Sequence, residues 1–357
     1  MSRPQRILIT GGAGFVGSSL AVRFRQAWPD TAVTALDNLR RRGAELALPR
    51  LSAAGVEFAH GDVRVREDLF ALGDFDLLVD CAAEPSVLAG HDGAPDYVIQ
   101  TNLGGTLHCL ELARRCGAGV VFLSTSRVYP AAPINALRYD EGPTRFELLA
   151  DQTTPGASEH GIAETFPLAG ARSLYGASKL CSELLLEEYR AAYGLKGLTL
   201  RCGVLTGPWQ MGKVDQGVVV LWVARHLFGG ALSYLGFGGS GKQVRDLLHV
   251  DDLFALLQLQ IERLDEFDGA VFNVGGGRDC SLSLQELTAL CREHTGATIP
   301  IAAVADQRPN DLIAYLSDCR AVTARTGWRP RIGAAAIVAE IARWIRDHRA
   351  QLEPILA

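Results

Sequence analysis

The residues best suited to chemistry are a tyrosine and a lysine four positions apart, Tyr175 and Lys179. On a helix this spacing places two side chains on one face and close together. A free phenol has a pKa of about 10 and is a poor base at neutral pH, but a nearby ammonium stabilises the phenolate and lowers that pKa. The pair therefore favours proton exchange with a substrate hydroxyl, which Thr125 can position from the end of a predicted strand. The alternative is a common surface pair without a chemical role.

A glycine-rich turn follows the apolar run 7–10, with Gly11, Gly14 and Gly17 three residues apart. One glycine permits a tight turn, one lets the backbone approach a pyrophosphate, and one lets the helix pack on the strand. The N–H groups at the start of that helix then bind phosphate. Asp37 ends the next apolar run, about twenty residues on, where a carboxylate meets ribose hydroxyls. The pattern predicts a dinucleotide site; the alternative is a turn whose glycines serve packing alone.

The elements that must position these residues alternate between strand and helix in the first half of the chain, which is typical of a parallel, doubly wound sheet. The predicted strands are 7–10, 32–37, 56–60, 76–81, 120–123 and 198–201, and the main helices are 16–26, 97–116 and 173–193. Ligands bind beyond the carboxyl ends of such strands. The informative residues at those ends are Gly11, Asp37, Asp62, Ala82, Ser124 and Thr125.

The rest of the chain has a different pattern. Residues 131–167 show no clean period, and a loop of this length is usually functional, so we predict a lid or an oligomer contact. From Gly207 onward, short strands, glycine clusters and amphipathic helices indicate a smaller lobe. The sequence thus predicts an α/β fold, with a Rossmann-type doubly wound parallel sheet over 1–206. A smaller C-terminal α+β substrate lobe covers 207–357, and some of its segments return to the first domain.

Composition disfavours several classes of function. The chain has 357 residues, 48% of them apolar, and a net charge of −5, which favours a large core and disfavours binding to nucleic acid or an anionic membrane. No apolar run approaches the roughly twenty residues of a membrane span. The first six residues lead straight into a predicted strand, so we expect no signal peptide. The eight cysteines form no C-x-x-C pair, so we expect reduced thiols, no metal site and a cytoplasmic location.

Several motifs together make the chain resemble the extended short-chain dehydrogenase/reductase family. They are the glycine turn, Gly61-Asp62-Val63, Asn102-Leu103-Gly104-Gly105-Thr106, Ser124-Thr125 before Val128-Tyr129, and Tyr175-x-x-x-Lys179. The resemblance covers nearly the whole chain, and members of the family mostly act on nucleotide-activated sugars. It implies a homodimer or homotetramer, with helices 97–116 and 173–193 forming the dimer contact.

The resemblance also implies where the cofactor lies. Asp62 and Val63 flank its adenine, Ala82 and Ala83 line its path, and Asn102 is a structural or cofactor contact. The expected cofactor-binding residues are Gly11, Gly14, Phe15, Val16, Gly17, Asp37, Asn38, Arg40, Asp62, Val63, Ala82, Ala83, Asn102, Ser124, Tyr175 and Lys179. The arginines at 40–42 are able to accept a 2′-phosphate, but Asp37 would repel it. We therefore predict NAD.

In the second lobe, residues 239–246 resemble the family's sugar-nucleotide segment and 308–311 resemble its late arginine motif. Arg245 and Arg308 then grip the diphosphate, which suits the planar, charged guanidinium. For each arginine, a surface ion pair is the alternative. The expected substrate-binding residues are Thr125, Gln216, Gln243, Arg245, Arg308 and Asp311.

The residues after Thr125 bear on the reaction. The resemblance implies Thr-Asp-Glu at this position in sugar 4,6-dehydratases, because expulsion of a hydroxyl needs an acid and a base. This chain has Ser126 and Arg127 after the threonine instead. Segments 37–44 and 215–217 look most like the CDP-paratose (tyvelose) 2-epimerase branch of the family. We therefore predict an NAD-dependent epimerase of a nucleotide-activated hexose that transiently oxidises a ring carbon, with C2 favoured. The alternatives are a UDP- or GDP-sugar 4-epimerase, another nucleotide-sugar oxidoreductase and, more remotely, a non-catalytic NAD-binding protein.

Overall fold

The computed structural model describes residues 3–91, 94–213 and 216–357. Its strands are β1 (Arg6–Thr10), β2 (Ala32–Asp37), β3 (Glu57–His60), β4 (Leu77–Asp80), β5 (Gly119–Thr125), β6 (Tyr139–Glu141), β7 (Phe146–Leu148), β8 (Ala157–Ser158), β9 (Gly161–Ile162), β10 (Gly197–Cys202), β11 (Val204–Thr206), β12 (Leu232–Leu235), β13 (Val244–His249), β14 (Val271–Val274), β15 (Ser281–Ser283), β16 (Ile301–Val304) and β17 (Ala314–Tyr315). Its α-helices are α1 (Phe15–Ala27), α2 (Leu48–Ala53), α3 (Arg66–Phe70), α4 (Asp96–Ile99), α5 (Gly105–Cys116), α6 (Ala131–Asn135), α7 (Leu174–Tyr193), α8 (Val218–Phe228), α9 (Val250–Ile261), α10 (Leu264–Phe267), α11 (Leu284–Thr295), α12 (Arg320–Thr326), α13 (Ala334–Asp347) and α14 (Arg349–Leu356).

The chain forms two compact units, each assembled from three stretches. The first unit contains Met1–Val128, Ser173–Arg201 and Leu253–Phe272, and the second contains Tyr129–Arg172, Cys202–Asp252 and Asn273–Ala357. The sequence predicts a boundary at residue 206, with some later segments returning to the first domain. Residues 129–172 pack within the second unit, and 253–272 return to the first.

The first unit is built on a seven-stranded sheet in the order β14-β10-β5-β4-β1-β2-β3. The sheet is parallel and Rossmann-like, as predicted. Every residue of β5 is buried, as are those of β4, so these central strands read as continuous apolar runs. Leu110 and Ala113 of α5 pack with Val120 and Phe122 of β5 in one buried cluster. The strand order reverses beside β1, which is where such sheets bind their ligands.

Two predicted segments differ in detail from the structure. The helix expected over 97–116 is interrupted, because residues Gln100–Gly104 form a π-turn between α4 and α5. Residues 131–167 are not a structureless loop: they form α6 and the two short hairpins β6–β7 and β8–β9. Strands of two or three residues are too short to leave a readable period in the sequence. The role of this segment as a lid or oligomer contact stays a prediction.

The second unit is centred on β13. This strand pairs with β11 and β17 in parallel and with β15 antiparallel, while β12 and β16 form a separate parallel pair. Helix α11 begins at a capping box in which Ser283 and Glu286 satisfy each other's backbone N–H groups. His249 at the end of β13 is buried, with its Nε2 3.2 Å from Glu340. In the described residues, no helix is long and apolar enough to cross a membrane.

Asp246 in β13 gives the second unit a pH-dependent stability. Its Oδ2 accepts hydrogen bonds from the N–H groups of Ser317 at 3.1 Å and Gly277 at 3.2 Å, and burial raises its pKa from 3.8 to about 6. Because the pKa of Asp246 is higher in the folded than in the unfolded state, protonation of this carboxyl stabilises the fold. The stabilisation is fully present below about pH 4 and is lost as the pH rises through about 6.

We expect the unfolding free energy of the wild type to fall by up to about 3 kcal/mol between pH 4 and pH 7, relative to that of Asp246→Asn. Urea denaturation at both pH values measures this difference. Ser233→Ala, on β12 of the same unit, removes no titratable group and serves as the control, so it should differ from the wild type by the same amount at both pH values. If the wild type and Asp246→Asn differ by the same amount at both pH values, the buried carboxyl does not titrate as stated.

Candidate active site

The turn after β1 leaves no room for side chains. Gly11 has φ of +60°, and a Cβ added to Gly17 would lie 2.2 Å from the carbonyl oxygen of Gly11. A Cβ on Gly12 would lie 2.6 Å from that of Ala35. Gly14 is the N-cap of α1 and has no side chain. No cap side chain therefore accepts hydrogen bonds from the N–H groups in the first turn of α1. This cradle fits a pyrophosphate, with Phe15 and Val16 half-buried in the first turn of the helix.

The carboxylate of Asp37 is tied to this turn. Its Oδ2 accepts a hydrogen bond from the N–H of Ala13 at 3.1 Å, and its Oδ1 accepts one from that of Leu39 at 2.8 Å. Burial raises the pKa of Asp37, and these backbone hydrogen bonds oppose the rise. Each oxygen keeps further acceptor capacity, so the oriented carboxylate suits ribose hydroxyls.

A second polar group lies at the ends of β2 and β3. The Asp62 carboxylate accepts hydrogen bonds from Asn38 at 2.9 Å and from Arg64 at 2.6 Å, and the Arg64 guanidinium lowers the pKa of Asp62 to about 2. Arg40 and Arg64 both lie over the ring of Tyr97, 4.0 and 4.8 Å from its centroid. The structure thus brings Asn38, Arg40 and Asp62 together, as expected of one end of a cofactor site. Sequence reasoning missed Arg64 and Tyr97, which no motif marks.

Asp80 is the last residue of strand β4. It is buried and accepts hydrogen bonds from the hydroxyls of Thr10 at 2.6 Å and Thr106 at 3.1 Å. The N–H of Ala82 in turn donates to the Thr10 hydroxyl at 3.2 Å. This chain of hydrogen bonds joins β1, β4 and α5. It orients the strand end that carries Ala82 and Ala83, both half-buried.

Asn102 has a structural role. From the π-turn, its Oδ1 accepts the N–H of Glu84 at 2.8 Å, and its Nδ2 donates to the carbonyl of Glu84 at 3.2 Å and to Ser178 at 3.0 Å. The buried amide therefore ties the loop after β4 to helix α7. Val63 is also buried, and a Cβ on Gly105 would lie 2.6 Å from its Cγ2.

The expected catalytic residues all belong to the first unit. Thr125 ends β5, and its hydroxyl accepts the N–H of Arg127 at 3.2 Å. Ser173 caps α7, which carries Tyr175, half-buried, and Lys179, fully buried, one turn apart. The Lys179 ammonium lies 4.0 Å from the ring centroid of Phe122, three residues before Thr125 on the same strand. Tyr175 and Lys179 are thus carried by one helix that packs on β5.

The second unit brings three of the six expected substrate residues together, namely Arg245, Arg308 and Asp311. Arg245 pairs with Asp311, with 2.7 Å between Nη2 and Oδ1, and the N–H of Asp311 donates to the carbonyl of Arg308 at 3.3 Å. Gln243 is buried and donates its Nε2 hydrogen to the carbonyl of Leu235. Gln216 forms a backbone bridge with Lys213. Asp215, part of the motif at 215–217, lies outside the described residues.

Comparison with known proteins identifies the family. The model of the NAD dependent epimerase/dehydratase family matches residues 7–275. The chain belongs to this family. Its cofactor is NAD, and the glycine cradle and the oriented Asp37 fit that group.

The similar proteins catalyse more than one reaction. CDP-paratose 2-epimerase of Salmonella typhi is 29% identical over 95% of this chain and 98% of its own. The dTDP-glucose 4,6-dehydratase of Streptomyces antibioticus is 31% identical over 98% of this chain and 95% of its own. The crystal structure of the dTDP-glucose 4,6-dehydratase DesIV from Streptomyces venezuelae, with NAD and TYD bound, is 30% identical with a TM-score of 0.78, and covers 98% of this chain and 99% of DesIV.

The contact between Gly17 and Gly11 is testable. We expect Gly17→Ala to weaken NAD binding at least about tenfold, because the added methyl group must displace the Gly11 carbonyl and open the cradle. Isothermal titration of the cofactor-stripped protein measures the change. Gly73→Ala is the matched control, because an added Cβ there meets no atom within 4 Å. Equal affinity in the two variants would show that this close approach is not needed.

Proposed function

We propose that this protein is an epimerase that inverts a ring carbon of a nucleotide-activated hexose by transient oxidation and re-reduction. The sequence Thr125-Ser126-Arg127 carries the proposal. The two residues after the threonine offer no carboxylic acid to protonate a departing hydroxyl and no carboxylate to remove a carbon-bound proton. Epimerisation needs neither group. The 2-epimerase relative supports inversion at C2 of a CDP-linked sugar such as CDP-paratose.

In this proposal, Tyr175 removes the proton from the ring hydroxyl and later returns it to the same oxygen. Lys179, one turn along α7, stabilises the phenolate, and its burial against Phe122 keeps its charge from being screened by water. Thr125 donates a hydrogen bond to the reacting oxygen. The glycine cradle and Asp37 would hold NAD, which would supply a reversible hydride acceptor beside the ring carbon. The reaction is redox neutral, so the cofactor need not be exchanged.

The second unit supplies the groups that would hold the nucleotide diphosphate. Arg245 and Asp311 form a half-buried ion pair, so the Arg245 guanidinium is already oriented and needs little reordering to bind an anion. Arg308 is half-buried in the same turn. A second candidate function is C4 epimerisation of a UDP- or GDP-sugar, because the same Thr125, Tyr175 and Lys179 serve a hydroxyl on either carbon.

Proton NMR of the purified protein with CDP-paratose in heavy water, without added cofactor, tests the function. We expect inversion at C2 with no solvent deuterium on that carbon, because its hydrogen never exchanges with water. Tyr175→Phe should lower the rate about 10²- to 10⁴-fold while NAD remains bound. Tyr193→Phe, at an exposed position on the same helix, is the matched control.

Other results would reject the proposal in identifiable ways. Loss of water from the sugar would identify a dehydratase, and consumption of added NAD would identify a dehydrogenase. Inversion at C4 of a UDP- or GDP-hexose would favour the second candidate. Full activity of Tyr175→Phe would overturn the role of the tyrosine.

We also propose a homodimer or homotetramer in which α5 and α7 form the contact. The two helices pack together, with Tyr189 donating to Glu111 at 3.4 Å, and they expose Leu107 by 40% and Leu184 by 55%. Leu184→Glu should halve the mass measured by sedimentation velocity, from dimer to monomer or from tetramer to dimer. Leu259→Glu, at an exposed leucine on α9, should keep the wild-type mass. An unchanged mass for Leu184→Glu would place any interface elsewhere.

A further inference from the structure

A buried polar cluster joins helix α7 to two strands of the sheet. It consists of Ser124 on β5, Glu183 on α7 and Arg201 on β10. Of its members, only Ser124 belongs to a motif described above, where it is expected to contact the cofactor. The Ser124 hydroxyl donates a hydrogen bond to Oε1 of Glu183. Arg201 grips the same carboxylate, with Nε 3.1 Å from both oxygens and Nη2 2.7 Å from Oε2.

The burial of this cluster makes its geometry specific. The side chains of Glu183 and Arg201 are only 6% and 7% exposed. A buried carboxylate is tolerated only when its charge is paired and its lone pairs are hydrogen-bonded. Arg201 supplies the charge and Ser124 a further donor. The carboxylate therefore has little freedom to move away from either strand.

The cluster lies on the helix face that carries the catalytic side chains. Glu183 follows Lys179 by four residues and Tyr175 by eight, which is about 6 and 12 Å along the helix axis. Ser124 directly precedes Thr125. One hydrogen bond thus connects the neighbour of Thr125 to the helix of the tyrosine and the lysine.

Other polar contacts of α7 lead to different parts of the first unit. Ser178 bonds to Asn102 in the π-turn, and Arg190 pairs with Asp268, which lies between α10 and β14. Neither contact reaches β5.

Lys179 and Leu186 of α7 pack against Phe122 of β5. The hydrogen bond from Ser124 to Glu183 adds a directional contact one residue before Thr125. This hydrogen bond therefore helps to fix the position of α7 along its own axis relative to the end of β5.

We propose that Glu183 is a positioning residue: through Ser124 and Arg201 it holds Tyr175 and Lys179 in register with Thr125. This inference rests on the proposed function, which assigns those three side chains to the reacting oxygen. A displacement of about 1 Å between reacting groups lowers a rate about 10²-fold. None of these residues is expected to bind the nucleotide of the substrate, so the displacement should lower kcat and leave KM unchanged.

Ser124→Ala tests the inference because it cuts the link to β5 and leaves the ion pair of Glu183 and Arg201 intact. We expect kcat to fall about 10- to 100-fold, with KM for the nucleotide sugar and the amount of bound NAD unchanged. Ser182→Ala is the matched control: it removes another buried serine hydroxyl from the same region, one that bonds to the carbonyls of Asn102 and Ser178. Its kcat should stay within about threefold of the wild type.

A double variant, Glu183→Met with Arg201→Met, removes both buried charges together and so leaves neither of them unpaired. It should lower kcat as much as Ser124→Ala, and adding Ser124→Ala to it should lower kcat no further. If the losses in kcat from Ser124→Ala and from the double variant multiply when combined, Ser124 acts independently of Glu183 and Arg201. Thermal melting of each variant reports whether it is folded.

The outcomes separate this inference from the proposed function. Tyr175→Phe, measured in parallel, loses its activity if the proposed function holds and keeps it if that function fails. Loss in Tyr175→Phe together with wild-type kcat in Ser124→Ala would overturn the positioning role alone. Loss of NAD from Ser124→Ala would also overturn it, because the serine would then act on cofactor binding.

Discussion

The first unit depends on how closely helix α1 approaches the end of β1. The carbonyl of Gly11 occupies the space that a side chain at Gly17 would need. This approach brings the start of α1, and with it the positive end of the helix dipole, to the edge of the sheet where strand order reverses. The same tightness brings the N–H of Ala13 within reach of Asp37. The exposed N–H groups of the turn and the oriented Asp37 carboxylate, which we expect to meet phosphate and ribose, thus both result from one steric constraint.

Acidic side chains at the ends of the strands are each satisfied in a different way. Backbone N–H groups orient Asp37, a guanidinium pairs with Asp62, and two threonine hydroxyls hold Asp80. Glu183 takes both a guanidinium and a hydroxyl. Except for the pair of Asp62 with the nearby Arg64 and one of the backbone hydrogen bonds to Asp37, these contacts join elements that are distant in sequence. The hydrogen bonds of these carboxylates therefore hold the strands and helices of the first unit together and fix the orientation of the carboxylates themselves.

Apolar runs and helical spacing in the sequence predict those elements of the fold whose pattern lies within one continuous segment. The strands β1, β2, β4, β5 and β10 and the helix α7 follow from apolar runs and helical spacing, and the turn follows from its glycines. The hairpins in 131–167 and the partners of Glu183 do not, because pairing between distant segments leaves no period in the sequence. For the same reason Arg64 and Tyr97 went unnoticed, whereas Tyr175 and Lys179 lie one turn apart on one helix.

The return of residues 253–272 to the first unit limits how recombination between related genes can exchange the two units. The edge strand β14 arrives only after more than fifty residues of the other unit have been traversed. A gene fragment ending near residue 206 would encode a sheet whose β10 edge lacks its partner, and an uncovered strand edge invites aggregation. Recombination at one or two breakpoints could not exchange the second unit intact for that of a relative. In this chain the two units are expected to have diverged together.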